Sequence, residues 1–289
     1  MQRTHELAVW LEQNLHCEIT QEILEKRTGY SSRHLFTIFK ACFGVSIANY
    51  VRKRRLTLAS VMLRETQRSV TEIALMYQFD HLQTFTRAFK KQFGISPFKY
   101  RNSTFWDMKN YYPSAVVRKV KCNTHTIYID KQTFLYPENK FRYEINYGHD
   151  FYIKIKNKKI NTYPNIYKDC INLIFRHDFE RQLVAFGELY PGKRFDTDVL
   201  IYIGHFTKKI SPDAISIPHG YYFCFTFTGT PEELMEYHAW AKGHGMHNFS
   251  QIMKKGPTFT LFRKSALYGI YEGEFYIPCF NLNYSAIPD

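Results

Sequence analysis

Gln83, Thr86, Arg87 and Lys90 are spaced i, i+3, i+4 and i+7, the interval that lines side chains along one stripe of an α-helix. Their types suit a base-pair edge in a major groove. Gln can bridge adenine, Arg can bridge guanine, a Thr methyl can meet that of thymine, and Lys can take a phosphate. The same helix carries Phe85, Ala88, Phe89 and Phe93 on another face, so one side is left for a core and one for a partner. The matching stripe fifty residues earlier is Arg33, Phe36, Thr37 and Lys40.

The elements that hold these stripes occur twice. Shifting the chain by fifty lays Leu35 on Phe85, Phe39 on Phe89, Lys40 on Lys90, and Phe43-Gly44-Val45-Ser46 on Phe93-Gly94-Ile95-Ser96. Upstream, Glu22-Ile23 falls on Glu72-Ile73; downstream, Tyr50 falls on Tyr100. Each copy reads as two short helices and a turn. Thr20 is expected to cap a helix running to about Thr28, Gly29 to break it, and Ser31 to cap the next, over about 32–42. In the second copy, Ser69-x-x-Glu72 and Asp80-x-x-Gln83 are capping-box patterns. Gly44 and Gly94 close the second helix of each copy. A longer helix over about 47–65 joins the copies, and Ser96-Pro97 starts a last short one.

Charge follows the repeat. Residues 1–102 hold 16 Lys/Arg against 8 Asp/Glu, more than half of the whole chain's excess of +13. That balance favours an anionic partner such as nucleic acid. The run Arg52-Lys53-Arg54-Arg55 lies on the joining helix. It is expected, with Ser31, Lys40, Lys90 and Lys91, to meet DNA backbone or solvent. No apolar run approaches the roughly 18 residues of a membrane span, and the first fifteen residues lack a signal peptide's long apolar stretch, so a cytosolic, nucleoid-associated protein is expected. Six scattered cysteines form no C-x-x-C pair and read as core thiols.

These residues carry a resemblance. Residues 1–102 are similar to the AraC/XylS-type DNA-binding domain, in its MarA/SoxS/Rob branch and closest to Rob-like members. The match rests on Gln83 through Phe93, Ile73-Ala74, Arg54-Arg55-Leu56, Gly29-Tyr30-Ser31, His34-Leu35 and Pro97. It implies two helix-turn-helix units, at 17–45 and 67–95, that dock in successive major grooves about 34 Å apart, so that one chain reads an asymmetric site. It also adds Leu82 and Thr84 to the base-reading set. Departures fall in the first unit. The branch usually places Trp, Gln and Arg where this chain has Arg33, Phe36 and Thr37, so the second half-site should resemble the branch's and the first should differ. In the second helix, Leu82 replaces an expected Gln.

After a linker at 103–119, residues 120–289 read as a second domain. Phe151 to Lys159 alternates as a strand and Tyr167 to Phe179 reads as a helix. Val199 to Gly204 is a buried strand, and Phe223, Phe225 and Phe227 share one face of another. Thr230-Pro231-Glu232-Glu233 opens a helix bearing Tyr237 and Trp240. The order resembles the GyrI-like effector-binding domain over about 195–280. That resemblance implies a duplicated strand–helix α/β module with a cleft for amphiphilic small molecules. The fold class expected for the chain is therefore α+β multidomain, a tandem all-α helix-turn-helix domain followed by an α/β GyrI-like one. Tyr202, Tyr222, Trp240 and Glu274 are the candidate ligand residues, since aromatic rings with one carboxylate suit an organic cation. The local excess of Lys keeps anionic amphiphiles open.

No G-x-S-x-G elbow, H-E-x-x-H or P-loop is present, His244-x-x-His247 has no carboxylate or Cys beside it, and Asp196-x-Asp198 reads as a turn. Neither catalysis, nor a metal, nor a cofactor is expected. The function implied is a transcription regulator, an activator of multidrug-efflux and stress genes through RNA polymerase, with a ligand-sensing second domain. Two alternatives remain open. One is a different regulon, such as virulence genes, with a ligand-free second domain for interaction or sequestration. The other is a small-molecule scavenger with a vestigial DNA unit.

Overall fold

A computed structural model describes residues 2–116, 122–130, 133–145, 155–156, 159–160, 168–176, 182–191, 197–241, 245–246, 249, 251–254 and 256–281. His244 and His247 lie outside the described residues, as does most of the strand expected at 151–159.

The N-terminal domain is helical. Its elements are α1 (Gln2–Gln13), α2 (Gln21–Thr28), α3 (Ser32–Phe43), α4 (Ile47–Glu65), α5 (Val70–Met76), α6 (Leu82–Phe93) and α7 (Pro97–Asn102). Side-chain caps fix most of the starts. Thr20 accepts from the Ile23 amide, Ser46 from Asn49 and Ser96 from Lys99, while Ser69 and Glu72 form a complete capping box. Gly44 and Gly94 end α3 and α6 at φ 73° and 83°, the left-handed geometry that admits a residue without Cβ.

The repeat is closer in its second half than in its first. α3 and α6, and the starts of α4 and α7, differ by fifty residues, but the caps Thr20 and Ser69 differ by 49. Leu24, 4% exposed, therefore corresponds to the fully buried Ile73, whereas Ile23, the partner expected by a uniform shift, is 38% exposed. The extra residue is in the second turn, where Gln78 takes φ 61°. That longer turn also moves the start of α6. His81 is its N-cap and makes no side-chain cap bond, so Asp80 does not close the expected capping box.

α4 is the spine. It is buried around most of its circumference, from Ile47 and Tyr50 to Met62 and Leu63. α1 contributes Leu7, Ala8, Leu11 and Leu15, and α3 and α6 contribute Leu35, Phe39, Phe85 and Phe89, to one core. No single helix among the described residues is long and apolar enough to cross a membrane.

The second domain is a curled antiparallel sheet. Its described elements are β2 (Asn123–Ile129), β3 (Thr133–Ile145), β4 (Ile155–Lys156), β5 (Lys159–Ile160), α8 (Lys168–Arg176), β6 (Leu183–Pro191), β7 (Thr197–Thr207), β8 (Ile215–Ile217), β9 (Gly220–Gly229), α9 (Pro231–Trp240), β10 (Ile252–Lys254), β11 (Phe259–Lys264) and β12 (Tyr271–Pro278). The main sheet runs β2-β9-β12-β11-β6-β7-β3-β8, with every ladder antiparallel. This corrects the α/β expectation. α8 and α9 connect strands that are not neighbours, β3 to β6 and β9 to β11, so no parallel crossover pair forms. Asp198 lies in β7 rather than in a turn. Strand order is symmetric about the β6–β11 pair: β3-β7-β6 on one side mirrors β9-β12-β11 on the other. Phe223, Phe225 and Phe227 pack with the helices, while Tyr222 and Cys224 face a second cluster with Leu135, Phe259 and Ile217. Leu135 and Ile217 come from one end of the sheet and Ile127 from the other, so the sheet curls on itself.

In the segment between the domains, residues 103–116 run on from α7 into a strand. A first strand, β1 (Phe105–Asp107), pairs with β10, Trp106 opposite Met253. Trp106 Nε1 also donates to the Tyr100 hydroxyl at 2.6 Å, and Arg64 donates to the Tyr100 and Ser103 carbonyls. Among the described cysteines, Cys224 and Cys279 are buried and Cys17 and Cys122 half-buried, but Cys42 is exposed and is not a core thiol.

Candidate nucleic-acid interface

α6 buries Phe85, Phe89 and Phe93 and turns Leu82, Gln83, Thr84, Arg87, Lys90 and Lys91 to solvent. Thr86 is half-buried between the two faces. α3 buries Leu35 and Phe39 and exposes Arg33, Thr37 and Lys40. The Thr37 hydroxyl donates to the Arg33 carbonyl at 2.9 Å, which leaves its methyl group and lone pairs outward. Phe36 is half-buried against the core and lines a groove with α4, so it is turned partly away from the stripe that Arg33, Thr37 and Lys40 share. Ser31 sits at the N-cap of α3 without a side-chain cap bond; the Ser32 amide donates instead to Glu25 at 2.6 Å. The Ser32 hydroxyl first, and then its amide, hold the Glu25 carboxyl below the usual carboxylate range.

The basic run separates. Arg52 is exposed and Lys53 half-buried, the latter with its ammonium 4.8 Å from the centre of the Tyr112 ring. Arg54, expected at the DNA backbone, is only 1% exposed. Its Nε and Nη2 donate to Glu12 at 2.8 and 2.9 Å, and its Nη1 to the Tyr112 carbonyl at 2.7 Å. Arg55, expected there too, donates to the Leu15 and Cys17 carbonyls at 2.7 and 2.6 Å. Arg54 is buried and Arg55 half-buried: successive helical residues turn by roughly 100°, so four in a row cannot share one face. Arg54 falls on the Tyr50 side, toward the core.

The pose of the reading helices depends on residues that the sequence analysis did not single out. Glu12 accepts from Arg54 and from the Tyr50 hydroxyl (2.5 Å), tying α1 to α4. Burial and the Glu12 carboxylate push the Tyr50 hydroxyl well above its ordinary pKa. Gln92, on α6, donates to the Lys53 carbonyl, the Thr57 hydroxyl and the Asn110 carbonyl, locking α6 to α4 and the linker. Arg101 donates to the Leu63 and Arg68 carbonyls, which fixes the base of the second unit. A signal for Glu12 was present: it is a carboxylate on the stripe of Ala8, Leu11 and Leu15, where an apolar residue belongs.

Similarity to known proteins agrees with this arrangement. The family described as a helix-turn-helix domain matches residues 24–103. Over 124 residues the chain is 39% identical to the probable transcription factor PqrA of Proteus vulgaris, a match that covers 42% of this chain and 95% of that protein. The chain belongs to the AraC family of DNA-binding transcription regulators. A second AraC-type relative is the transcriptional regulator Rob of Salmonella typhimurium, 46% identical over 101 residues and 35% of each chain. A third is the putative HTH-type transcriptional regulator YkgA of Escherichia coli, 36% identical over 140 residues, 48% of this chain and 58% of that one. The chain thus matches about a third of Rob and less than two thirds of YkgA. The likeness to Rob is no longer than the helical domain of this AraC-family chain, and the sheet domain's partners do not follow from it.

The four ligand candidates do not converge. Tyr202 and Tyr222 belong to the inner cluster of the sheet, and Glu274 points to that side beside Tyr276. Trp240 packs on the opposite face against Phe225 and Tyr237. Tyr222 donates to the Pro218 carbonyl at 3.0 Å, and burial pushes its hydroxyl up to about 12. Glu274 is half-buried, bonded to the Tyr276 hydroxyl and 3.2 Å from Arg263. Beneath it, burial and the carboxylate push the Cys224 thiol up to about 12, which keeps it protonated and poorly nucleophilic.

Proposed function

We propose that this AraC-family chain is a one-component transcription regulator that reads an asymmetric DNA site with α3 and α6. The observation that carries the reading is the exposure of Gln83, Arg87 and Lys90 on α6 over a fully buried Phe85–Phe89 face, repeated fifty residues earlier by Arg33, Thr37 and Lys40. Gln83, Thr84, Thr86, Arg87, Arg33 and Thr37 contact base edges, and Leu82 gives an apolar contact. Ser31, Lys40, Arg52, Lys90 and Lys91 contact phosphates. By likeness to its branch, the chain activates multidrug-efflux and stress genes with RNA polymerase, from the cytoplasm. The second domain, taken as GyrI-like, senses an amphiphilic small molecule on its inner face, with Tyr202, Tyr222 and Glu274 in the site and Trp240 excluded. Its support is the mirrored strand order, as a duplicated module would have, and a half-buried carboxylate beside aromatic rings. A cationic ligand there has to displace Arg263 from Glu274.

Selection from a random DNA pool at one fixed salt concentration tests the core of the reading, since nonspecific affinity depends steeply on salt. Two enriched half-sites one helical turn apart are expected. A pool that stays random would overturn it.

A further inference from the structure

Between the two helix-turn-helix units lies a cavity of about 340 Å³. Its volume falls within the range of small-molecule sites. The floor is apolar: Leu24 from α2, Ile47 and Val51 from α4, and Phe79 from the turn before α6. Phe36 forms one wall, and the exposed Ala48 sits at the rim.

Two guanidinium groups line the same cavity, those of Arg52 and Arg55. Arg55 gives its Nε and one terminal nitrogen to the carbonyls of Leu15 and Cys17, and its Nη1 makes no hydrogen bond among the described residues. Arg52 donates to the Asn49 side chain at 3.1 Å. Among the described residues neither guanidinium has a carboxylate partner. Arg55 is half-buried and Arg52 exposed, and two guanidinium groups at the edge of apolar surface, neither with a carboxylate partner among the described residues, favour an anion with an apolar body. Burial lowers the Arg55 pKa to about 10, so it remains charged at neutral pH.

We propose that this cavity binds a small amphiphilic carboxylate, its head on Arg55 and Arg52 and its apolar body over Val51, Ile47 and Phe79. A carboxylate supplies the missing counter-charge in bidentate geometry, and its tail covers the surface that Phe36 leaves half-exposed. Because the walls come from α2–α3, from α4 and from the turn before α6, the occupant touches both reading units at once. This site is separate from the inner face of the sheet and goes beyond the DNA-reading assignment, with which it shares Arg52.

The test uses the full chain and octanoate. A diazirine-bearing octanoate is cross-linked by light, and the labelled peptides are identified by mass spectrometry. Label within residues 19–24, 47–55 or 78–79 is expected, competed away by unlabelled octanoate but not by octylamine. Binding of ¹³C-carboxyl octanoate is followed in parallel for the native chain and for Ala48→Phe, which fills the rim from an exposed position. The substitution is expected to weaken the saturable component at least tenfold. Cross-links confined to the sheet domain, an undiminished octanoate affinity in Ala48→Phe, or equal competition by octylamine would each overturn the proposal. Cross-linking uses the native protein, so it decides the matter even if Ala48→Phe folds poorly.

Discussion

Arg54 and Glu12 meet as a two-pronged buried pair, Nε on Oε1 at 2.8 Å and Nη2 on Oε2 at 2.9 Å, between helices α4 and α1. The pair joins residues 42 positions apart and is enclosed by Tyr50 and the Tyr112 carbonyl. Removing one member leaves the other charge buried without compensation. Glu12→Ala should therefore lower the stability of the helical domain by about 3–5 kcal/mol. Replacing both by apolar residues of similar volume should cost much less. Urea unfolding of the two variants compares them; equal losses would refute the ion-pair account.

Arg87 and Lys90 stand one helical turn apart on α6 and should fail differently. Arg87→Ala should cost about 1–3 kcal/mol in DNA affinity and relax one base position. Lys90→Ala should weaken all sequences alike and reduce the salt slope by about one phosphate. Binding measured against a set of single-base variants at several salt concentrations separates the two. Sequence-dependent losses for Lys90→Ala would contradict its phosphate role.

The first half-site should depart from that of the branch, whereas the second should keep it. Thr37 has committed its hydroxyl proton to the helix, so it offers a methyl group or a lone pair but no donor. Thr37→Val, which keeps the shape, should leave preference at that base nearly unchanged. A large change of preference would mean that the hydroxyl turns outward to donate.

The Ser69–Glu72 capping box makes stability depend on acid. Hydrogen bonds from Ser69 hold the Glu72 carboxyl below its ordinary value in the folded chain. A lowered folded pKa stabilises the fold above the unfolded pKa, and that contribution is lost as the pH falls through the folded value. Glu72→Gln should therefore be closest to the native chain at low pH and fall behind it as pH rises through the folded value, with the gap complete by about pH 4–5 and constant above. Parallel unfolding curves at every pH would remove Glu72 from the acid response.

Gly273 on β12 lies under the Phe227 ring, where any Cβ would overlap ring carbons. Gly273→Ala should destabilise the sheet domain by about 1–3 kcal/mol. DNA affinity should be unaffected at temperatures where the sheet remains folded. Differential scanning calorimetry with a DNA-binding assay checks both halves of that statement.

Local chemistry made much of the helical domain readable. Ser46, Ser69-x-x-Glu72, Ser96-Pro97, Gly44 and Gly94 act within three or four residues of themselves, and α4 begins and ends at 47 and 65 as read. What could not be read depends on distant groups. The inward turn of Arg54 needs Glu12 from another helix, and the single-residue slip of the repeat depends on how the turn at Gln78 packs. In the sheet domain, alternation marked Phe223, Phe225 and Phe227 as one face, but nothing local says which strand lies beside which. Trp240 was grouped with Tyr222 by composition; the sheet puts them on opposite sides. The separation of Arg54 from Arg52 was legible in principle from the helical angle alone.

The strand Phe105–Asp107 belongs to both halves of the molecule. It leaves α7 after Asn102, pairs along β10 and seats Trp106 on Tyr100. Dissecting the protein is therefore not a matter of cutting at the end of the last helix. A fragment stopped at 102 loses the cover over Tyr100, and one begun at 122 exposes the backbone edge of Ile252–Lys254 to other chains. The helical half should therefore be taken with its strand and the sheet half supplied with a replacement for it.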